Sequence, residues 1–478
     1  MKSVMTNRFA ITPNVNIPRS TFDRSHGHKT TIDADFLYPI YVDEALPGDT
    51  FVLNMTGFAR LNTPIFPIMD NIWMETYFFE VPMRIVWDNW RRFMGERVPD
   101  PTSTIDFTIP QVVLGAADNN HGTLWDYLGI PPDIDNLSVS ALFSRAYNLI
   151  WNEWFRDQNL QNSVTVDTDD GPDTASDYVL KKACKKHDYF TSALPWPQKQ
   201  TTNVLLPLGT SAPLTALNVY KDKAGVARRD SDDSLGSGTG PIDHASGSVR
   251  IFYTASQQAG YVTSDVDLAA QMATDLQVDL TNATAATINQ LRESFQIQKL
   301  LERDARGGTR YIEIIRSHFG VTSPDGRAWR PVYLGGGRSY VNITPIAKTS
   351  STDGTSPQGN LAGFGTSLLQ DHAFTKSFTE HSIIMGLVCV RADLTYSQGL
   401  NRMFSRSTRY DFYWPALSQI GEQAVLNKEI YAQNDANDNL TFGYQERYAE
   451  YRYKPSKITG LFRTNVSGNN TSLDTWHL

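Results

Sequence analysis

Between Leu208 and Thr287 the chain nearly stops using aromatic residues. Tyr220, Phe252, Tyr253 and Tyr261 are the four in that stretch, while the other 398 residues hold fifty of the 54. Ala, Ser, Thr, Gly and Asp fill the segment, with Gly-Ser-Gly-Thr-Gly at 236–240. Large apolar side chains supply most of the free energy of burial, so this composition cannot build a second core of ordinary size. About eighty residues is also too long for a plain connection. The segment reads as an excursion thrown outward from an aromatic-rich body. Long loops on rigid scaffolds carry recognition.

The body is globular in composition. Of 478 residues, 40% are hydrophobic and 20% charged, which excludes a disordered chain. Length allows two to four domains, or one large all-β body with insertions. A net charge of −8 argues against a protein that coats nucleic acid with its whole surface. The charge is uneven, however. Met1–Lys29 carries Lys2, Arg8, Arg19, Arg24 and Lys29 against Asp23 alone, and a short basic arm can touch phosphate locally. Cys184 and Cys389 are too few for a disulfide framework or a thiolate zinc site. Cys389 lies in the apolar run Ile383–Val390 and reads as a buried thiol, in keeping with a reducing compartment. No N-terminal segment resembles a signal peptide, and no run approaches the length of a membrane span. The expectation is a chain folded in a cytoplasm, with no membrane insertion.

Strand signals occur at both ends of the sequence. Asn7–Ser25 reads as an extended arm. Ile32–Tyr38, Phe51–Met55 and Trp73–Val81 show period-two or aromatic-rich patterns. Ile383–Asp393 suits a central strand, and Tyr444–Tyr453 a late one. Leu334–Gly365, rich in Gly, Ser and Thr, reads as a loop. Between these ends, apolar residues from Leu142 to Phe155 recur at helical spacing and predict a helix over about Ser138–Gln158. Another starts at Ile288 and closes near Gly307-Gly308. No fixed-period repeat is visible. Strands distant in sequence would then pair in one mainly β sandwich, as in a jelly roll.

Motifs of catalysis are missing. There is no GxxxxGK[ST] loop, GxSxG elbow or HExxH. His26-Gly27-His28 lacks a third metal ligand nearby, so a solvated or phosphate-facing pair is expected. Asp167-Thr168-Asp169-Asp170-Gly171 begins like a calcium loop, then fails at Pro172 and at Tyr178, so an acidic surface loop is expected. No cofactor, metal or catalytic residue is assigned. Basic and aromatic residues do interleave in two places. Arg402, Phe404, Arg406, Arg409, Tyr410, Phe412, Tyr413 and Trp414 form one set. Arg447, Tyr448, Tyr451, Arg452, Tyr453 and Lys454 form the other. Guanidinium groups neutralise phosphate and aromatic faces stack unpaired bases. The same pattern also suits core aromatics with snorkelling arginines at a subunit contact.

Six stretches carry a family resemblance: Ile17–Pro39 (IPRSTFDRSHGHKTTIDADFLYP), Pro64–Pro82 (PIFPIMDNIWMETYFFEVP), Ala193–Lys199 (ALPWPQK), Ile288–Gly320 (INQLRESFQIQKLLERDARGGTRYIEIIRSHFG), Phe378–Ser405 (FTEHSIIMGLVCVRADLTYSQGLNRMFS) and Gly421–Phe462. In these the sequence resembles the major capsid proteins of gokushoviruses, the Microviridae branch of small single-stranded DNA bacteriophages. The resemblance implies a structural protein, not an enzyme. It implies a single viral jelly roll, an antiparallel β-sandwich with long helix- and loop-containing insertions. About sixty copies would form an icosahedral shell around circular single-stranded DNA, assembled in the bacterial cytoplasm with a small basic DNA-packaging protein.

The implied layout has four parts. Residues 1–29 are a basic arm, and 30–207 hold the first strands with inserted helices and loops. Residues 208–287 are a protrusion near the three-fold axis for a host cell-surface receptor. Residues 288–478 hold a helix, the remaining strands and C-terminal inter-subunit segments. Tyr220, Phe252, Tyr253 and Tyr261 are then expected at the base of the protrusion or at a three-fold contact. Arg8, Arg19, Arg24, Lys29, Arg402, Arg406, Arg409, Arg452 and Lys454 are the candidates for nucleic-acid or inter-subunit contact. The residues alone also leave open a β-sandwich polysaccharide hydrolase and a cell-surface-binding module.

Overall fold

The computed structural model describes residues 18–100, 102–199, 228–229, 235–236, 288–308, 310–321, 329–354, 357–464 and 472–477. In chain order the strands begin with β1 (Tyr38–Ala45), β2 (Thr50–Arg60), β3 (Ile72–Pro82), β4 (Gln111–Leu114) and β5 (Leu137–Ser140). They continue with β6 (Arg228–Arg229), β7 (Leu235–Gly236), β8 (Val332–Tyr340), β9 (Asn342–Ala347), β10 (Leu361–Ser377), β11 (Ser382–Ala392), β12 (Glu422–Leu426) and β13 (Thr441–Glu446). The longer helices are α1 (Leu142–Ile150), α2 (Ile288–Gly307) and α3 (Tyr311–Phe319). Two compact units are present: residues 1–197 with 309–478, and residues 198–308. In the second, β6 pairs antiparallel with β7, and α2 is a separate twenty-residue helix.

Two antiparallel sheets form the centre of the first unit. One has the order β1-β11-β3-β8 and the other β2-β10-β9. Strands from the two ends of the sequence are thus neighbours, as expected. Ala45, Phe78, Ile384 and Leu334 of the first sheet meet Phe51, Leu53, Met55 and Phe374 of the second. The sheets therefore pack face to face through one apolar layer, a sandwich-like core.

The far face of the four-stranded sheet is also covered. Phe79, Val81, Ile383, Met385, Leu387 and Cys389 face a larger cluster drawn from the insertion after β3, including Trp87, Trp125, Tyr147, Ile150 and Phe155. Burial on both sides explains why β11 is apolar at successive positions instead of alternating. Cys389 is fully buried, and desolvation pushes its thiol up to about 12. The three-stranded sheet differs. β2 alternates strictly between exposed and half-buried residues along all eleven positions.

Four expected boundaries move. Residues 334–365 are not one loop: they hold most of β8, all of β9 and the start of β10. The glycines that suggested a loop make room for close neighbours within the sandwich. A Cβ on Gly337 would lie 2.5 Å from the His372 ring, and one on Gly336, at φ +152°, 2.0 Å from the Thr76 carbonyl oxygen. The strand expected at Ile32–Tyr38 starts only at Tyr38, because Asp35 takes a left-handed conformation at φ +71°. The late strand ends at Glu446, before left-handed Tyr448. The long helix splits: β5 precedes α1, and Trp151–Phe155 forms one π turn, closed by the Arg156 N–H on the Trp151 carbonyl at 2.9 Å. The apolar stripe survives that change, with Trp151 and Phe155 still buried. α3 is a helix that the sequence reading did not single out.

Candidate assembly and nucleic-acid interface

The basic–aromatic sets come together in a C-terminal lobe with little regular structure. The β12–β13 hairpin and several 3-10 turns surround a small core of Tyr189, Phe190, Val425 and Ala449. Four buried residues cannot cover the other rings. Phe404, Tyr410, Phe412, Tyr413, Trp414 and Tyr451 all remain about half exposed or more.

The arginines of this lobe have different fates. Arg402 donates to the Ala424 carbonyl at 2.7 Å and to Glu429 Oε1 at 3.1 Å. Glu429 is buried, and desolvation raises its pKa. Arg406 pairs with buried Glu450 at 3.2 Å, and its guanidinium lies 4.5 Å from the Tyr451 ring centre and 5.3 Å from that of Phe412. Arg452 pairs with Glu446. The charges of Arg402, Arg406 and Arg452 are therefore met inside the chain. Arg409 lies 4.8 Å over Tyr410, and Lys454 is exposed. Among the described residues neither has an ion-pair partner. Ser405 Oγ, Arg406 Nε and Arg447 Nε are buried without a hydrogen-bond partner among the described residues.

The arm is pinned at two points. The Arg19 guanidinium donates to the Gly48 carbonyl in the β1–β2 turn. Arg24 pairs with Asp43 of β1 at 2.7 Å. Lys29 is exposed, and Arg8 lies outside the described residues. His26 and His28 are exposed, and His26 Nδ1 is 3.0 Å from the Arg24 carbonyl. Among the described residues, no three His, Cys, Asp or Glu stand close enough to hold a metal ion. No described helix is long and apolar enough to cross a membrane. Tyr220, Phe252, Tyr253 and Tyr261 lie outside the described residues.

Two polar networks escaped the sequence reading. Glu75 is buried on β3, yet Arg391, Lys186 at 3.1 Å and Arg338 at 3.2 Å all reach it, and Tyr77 donates to it at 2.6 Å. Burial pushes its pKa up, but the hydrogen bonds from Tyr77 and Arg391 outweigh this and hold it at about 2. Asp393 joins through Lys186 and Arg338. The only sequence trace of this network is the run Lys181–His187. The second network sits beneath the supposed acidic loop. Arg145 is fully buried on α1 and donates to Asp173 and to the carbonyls of Val86 and Asp169. Asp170 accepts from Trp87 Nε1 at 2.7 Å. The loop is thus partly a lid fastened onto the insertion core.

The sequence has matches among known proteins. Residues 10–478 fit the phage capsid protein (F protein) family. The chain belongs to that family. It is 47% identical over 472 residues to capsid protein VP1 of Bdellovibrio phage phiMH2K, covering 98% of this chain and 86% of that one. It is 43% identical over 535 residues to capsid protein VP1 of Chlamydia phage 1, covering 100% and 89%. Capsid protein VP1 of Spiroplasma virus 4 is 35% identical over 494 residues, covering 98% and 86%. The half-open aromatic lobe leaves apolar surface of this chain exposed.

Proposed function

We propose that this chain is the major capsid protein of a gokushovirus, one of sixty subunits in an icosahedral shell enclosing circular single-stranded DNA. The near-complete match to three phage capsid proteins carries the proposal. The strand order supports a jelly roll. Pairing of β1 with β11, and of β2 with β10, follows from winding the two halves of a chain together into a sandwich. The third place in the second sheet is filled by β9, the hairpin neighbour of β10.

In this reading the subunit needs no reaction chemistry. It needs many weak symmetric contacts that become cooperative on closure. The lobe bearing Tyr410, Phe412, Tyr413 and Trp414 is one such contact, and Arg409 and Lys454 offer charge to a neighbour or to the genome. Arg8, Arg19, Arg24 and Lys29 act from the arm. A net charge of −8 leaves the genome largely uncompensated, which calls for a separate basic packaging protein. The segment 208–287 projects near the three-fold axis and attaches to a host receptor, with its four aromatics at the base or at a three-fold contact.

Electron microscopy and sedimentation of the purified chain, with and without the packaging partner, test the proposal. Uniform small icosahedral particles are expected. Monomer under every assembly condition, with no particles in infected cells, would sink it. Deleting residues 208–287 is expected to abolish host attachment while the two sheets persist.

A further inference from the structure

Among the described residues, the outer face of the three-stranded sheet is open and carries exposed apolar side chains among uncharged polar ones. On β2, Val52 is 77% and Phe58 71% exposed. Phe58 stands directly opposite Leu368 of β10 in the antiparallel register, and Leu368 is 53% exposed. Ile346 of β9 is 50% exposed. The Arg60 guanidinium lies 4.9 Å over the Phe364 ring on the same face. Thr, Asn and Ala occupy most positions between. Arg60 at one end and Asp371 on the β10 bulge are the formal charges. A sheet with one solvated face ordinarily turns polar residues outward, and exposed edges usually carry charges that deter pairing. Here the polar positions are mostly uncharged Thr, Asn, Gln and Ser, and the Phe58–Leu368 pair stands exposed among them, so charge does little to deter pairing.

We infer that this face docks against a second copy of this chain inside the assembled shell, an inference that rests on the capsid reading above. Charge selects the occupant. A nucleic-acid backbone or a strongly basic packaging protein gains nothing from a surface so nearly neutral, whereas an uncharged face of the same kind does. Size agrees. An eleven-residue strand at about 3.3 Å per residue, with strands about 4.8 Å apart, spans at most about 500 Å². A free-standing complex needs about 800 Å² per partner. The contact is too small to hold a dimer in solution, and it suits one of several contacts that close a shell together.

The test places a photoreactive benzoyl-phenylalanine at position 58 of the full-length chain. Irradiated particles are expected to give a covalent subunit–subunit adduct, and unassembled subunits none. Adducts in particles to DNA or to a different protein, or no adduct at all, would overturn the inference. A second arm uses the double variant Phe58→Lys, Leu368→Lys. Both side chains are exposed, so the subunit is expected to keep its circular dichroism spectrum while particle yield falls at least tenfold. Wild-type yield from the double variant would also overturn the inference and leave the capsid reading standing. Failure of the unmodified chain to form particles is a separate result, and it removes the capsid reading itself.

Discussion

The four-stranded sheet and the C-terminal lobe solve the same problem in opposite ways. Both are rich in aromatics and arginines. In the sheet, apolar layers cover both faces, and the buried carboxylate of Glu75 has three cations and a phenol around it. The lobe satisfies its carboxylates with Arg402 and Arg406 but leaves most of its rings half open. The first region is complete within one chain. The second has the charges of Arg402, Arg406 and Arg452 met and its apolar chemistry unfinished. Fixing the arginines internally holds the rings in place before any partner arrives, which lowers the ordering cost of docking.

The sharpest way to break this comparison is to damage the side said to be self-sufficient. Asp173→Asn removes the buried carboxylate of fully buried Arg145 and leaves it only the exposed Asp169, 3.5 Å away, and breaking a buried pair costs about 3–5 kcal/mol. The urea midpoint of the isolated subunit should fall accordingly. An unchanged midpoint would show that the insertion core does not depend on this pair.

A smaller effect is expected at His372, buried where β10 crosses the four-stranded sheet. Thr76 Oγ accepts from the Gly337 N–H at 3.2 Å and lies 2.6 Å from His372 Nδ1. Nε2 lies 3.0 Å from Ser339 Oγ, so the neutral ring has a hydroxyl partner at each nitrogen. Burial lowers the His372 pKa below its ordinary 6.5, with Asp371 opposing in part. The folded chain therefore binds fewer protons than the unfolded one just below pH 6.5. The stability contributed by neutral His372 is full above that pH and declines as pH falls, by up to about 1.4 kcal/mol per pH unit. Thermal midpoints between pH 5 and 7 should show this slope in the native chain and lose it in His372→Gln. Equal slopes in the two would remove the histidine from the account.

The smallest stability effect belongs to the lobe. Phe412→Ala and Tyr413→Ala remove half-exposed rings, so each should cost the isolated subunit no more than about 1 kcal/mol. Particle yield should nevertheless drop. A loss above about 2 kcal/mol in the subunit alone would mean that the lobe is already closed on itself.

Much of this was legible in the sequence because it follows from periodicity. β3, β11 and the start of α2 announce themselves by runs or stripes of apolar residues. What stayed hidden depends on neighbours far away in the chain. The glycines of β8 look like loop until the His372 ring and the Thr76 carbonyl arrive beside them. The late strand is cut by the backbone conformation of one residue, Tyr448, which composition does not reveal. In the lobe, the residue types correctly marked a surface of interest. Only geometry showed that Arg402, Arg406 and Arg452 are spent on Glu429, Glu450 and Glu446.

The pairing of β11 between β1 and β3 sets a timetable for synthesis. About 300 residues separate the end of β3 from the start of β11. At about 5–20 residues per second, a ribosome needs roughly 15–60 s to deliver them. Throughout that interval β1 and β3 have emerged without the strand that lies between them. The four-stranded sheet therefore cannot close until most of the chain has been made.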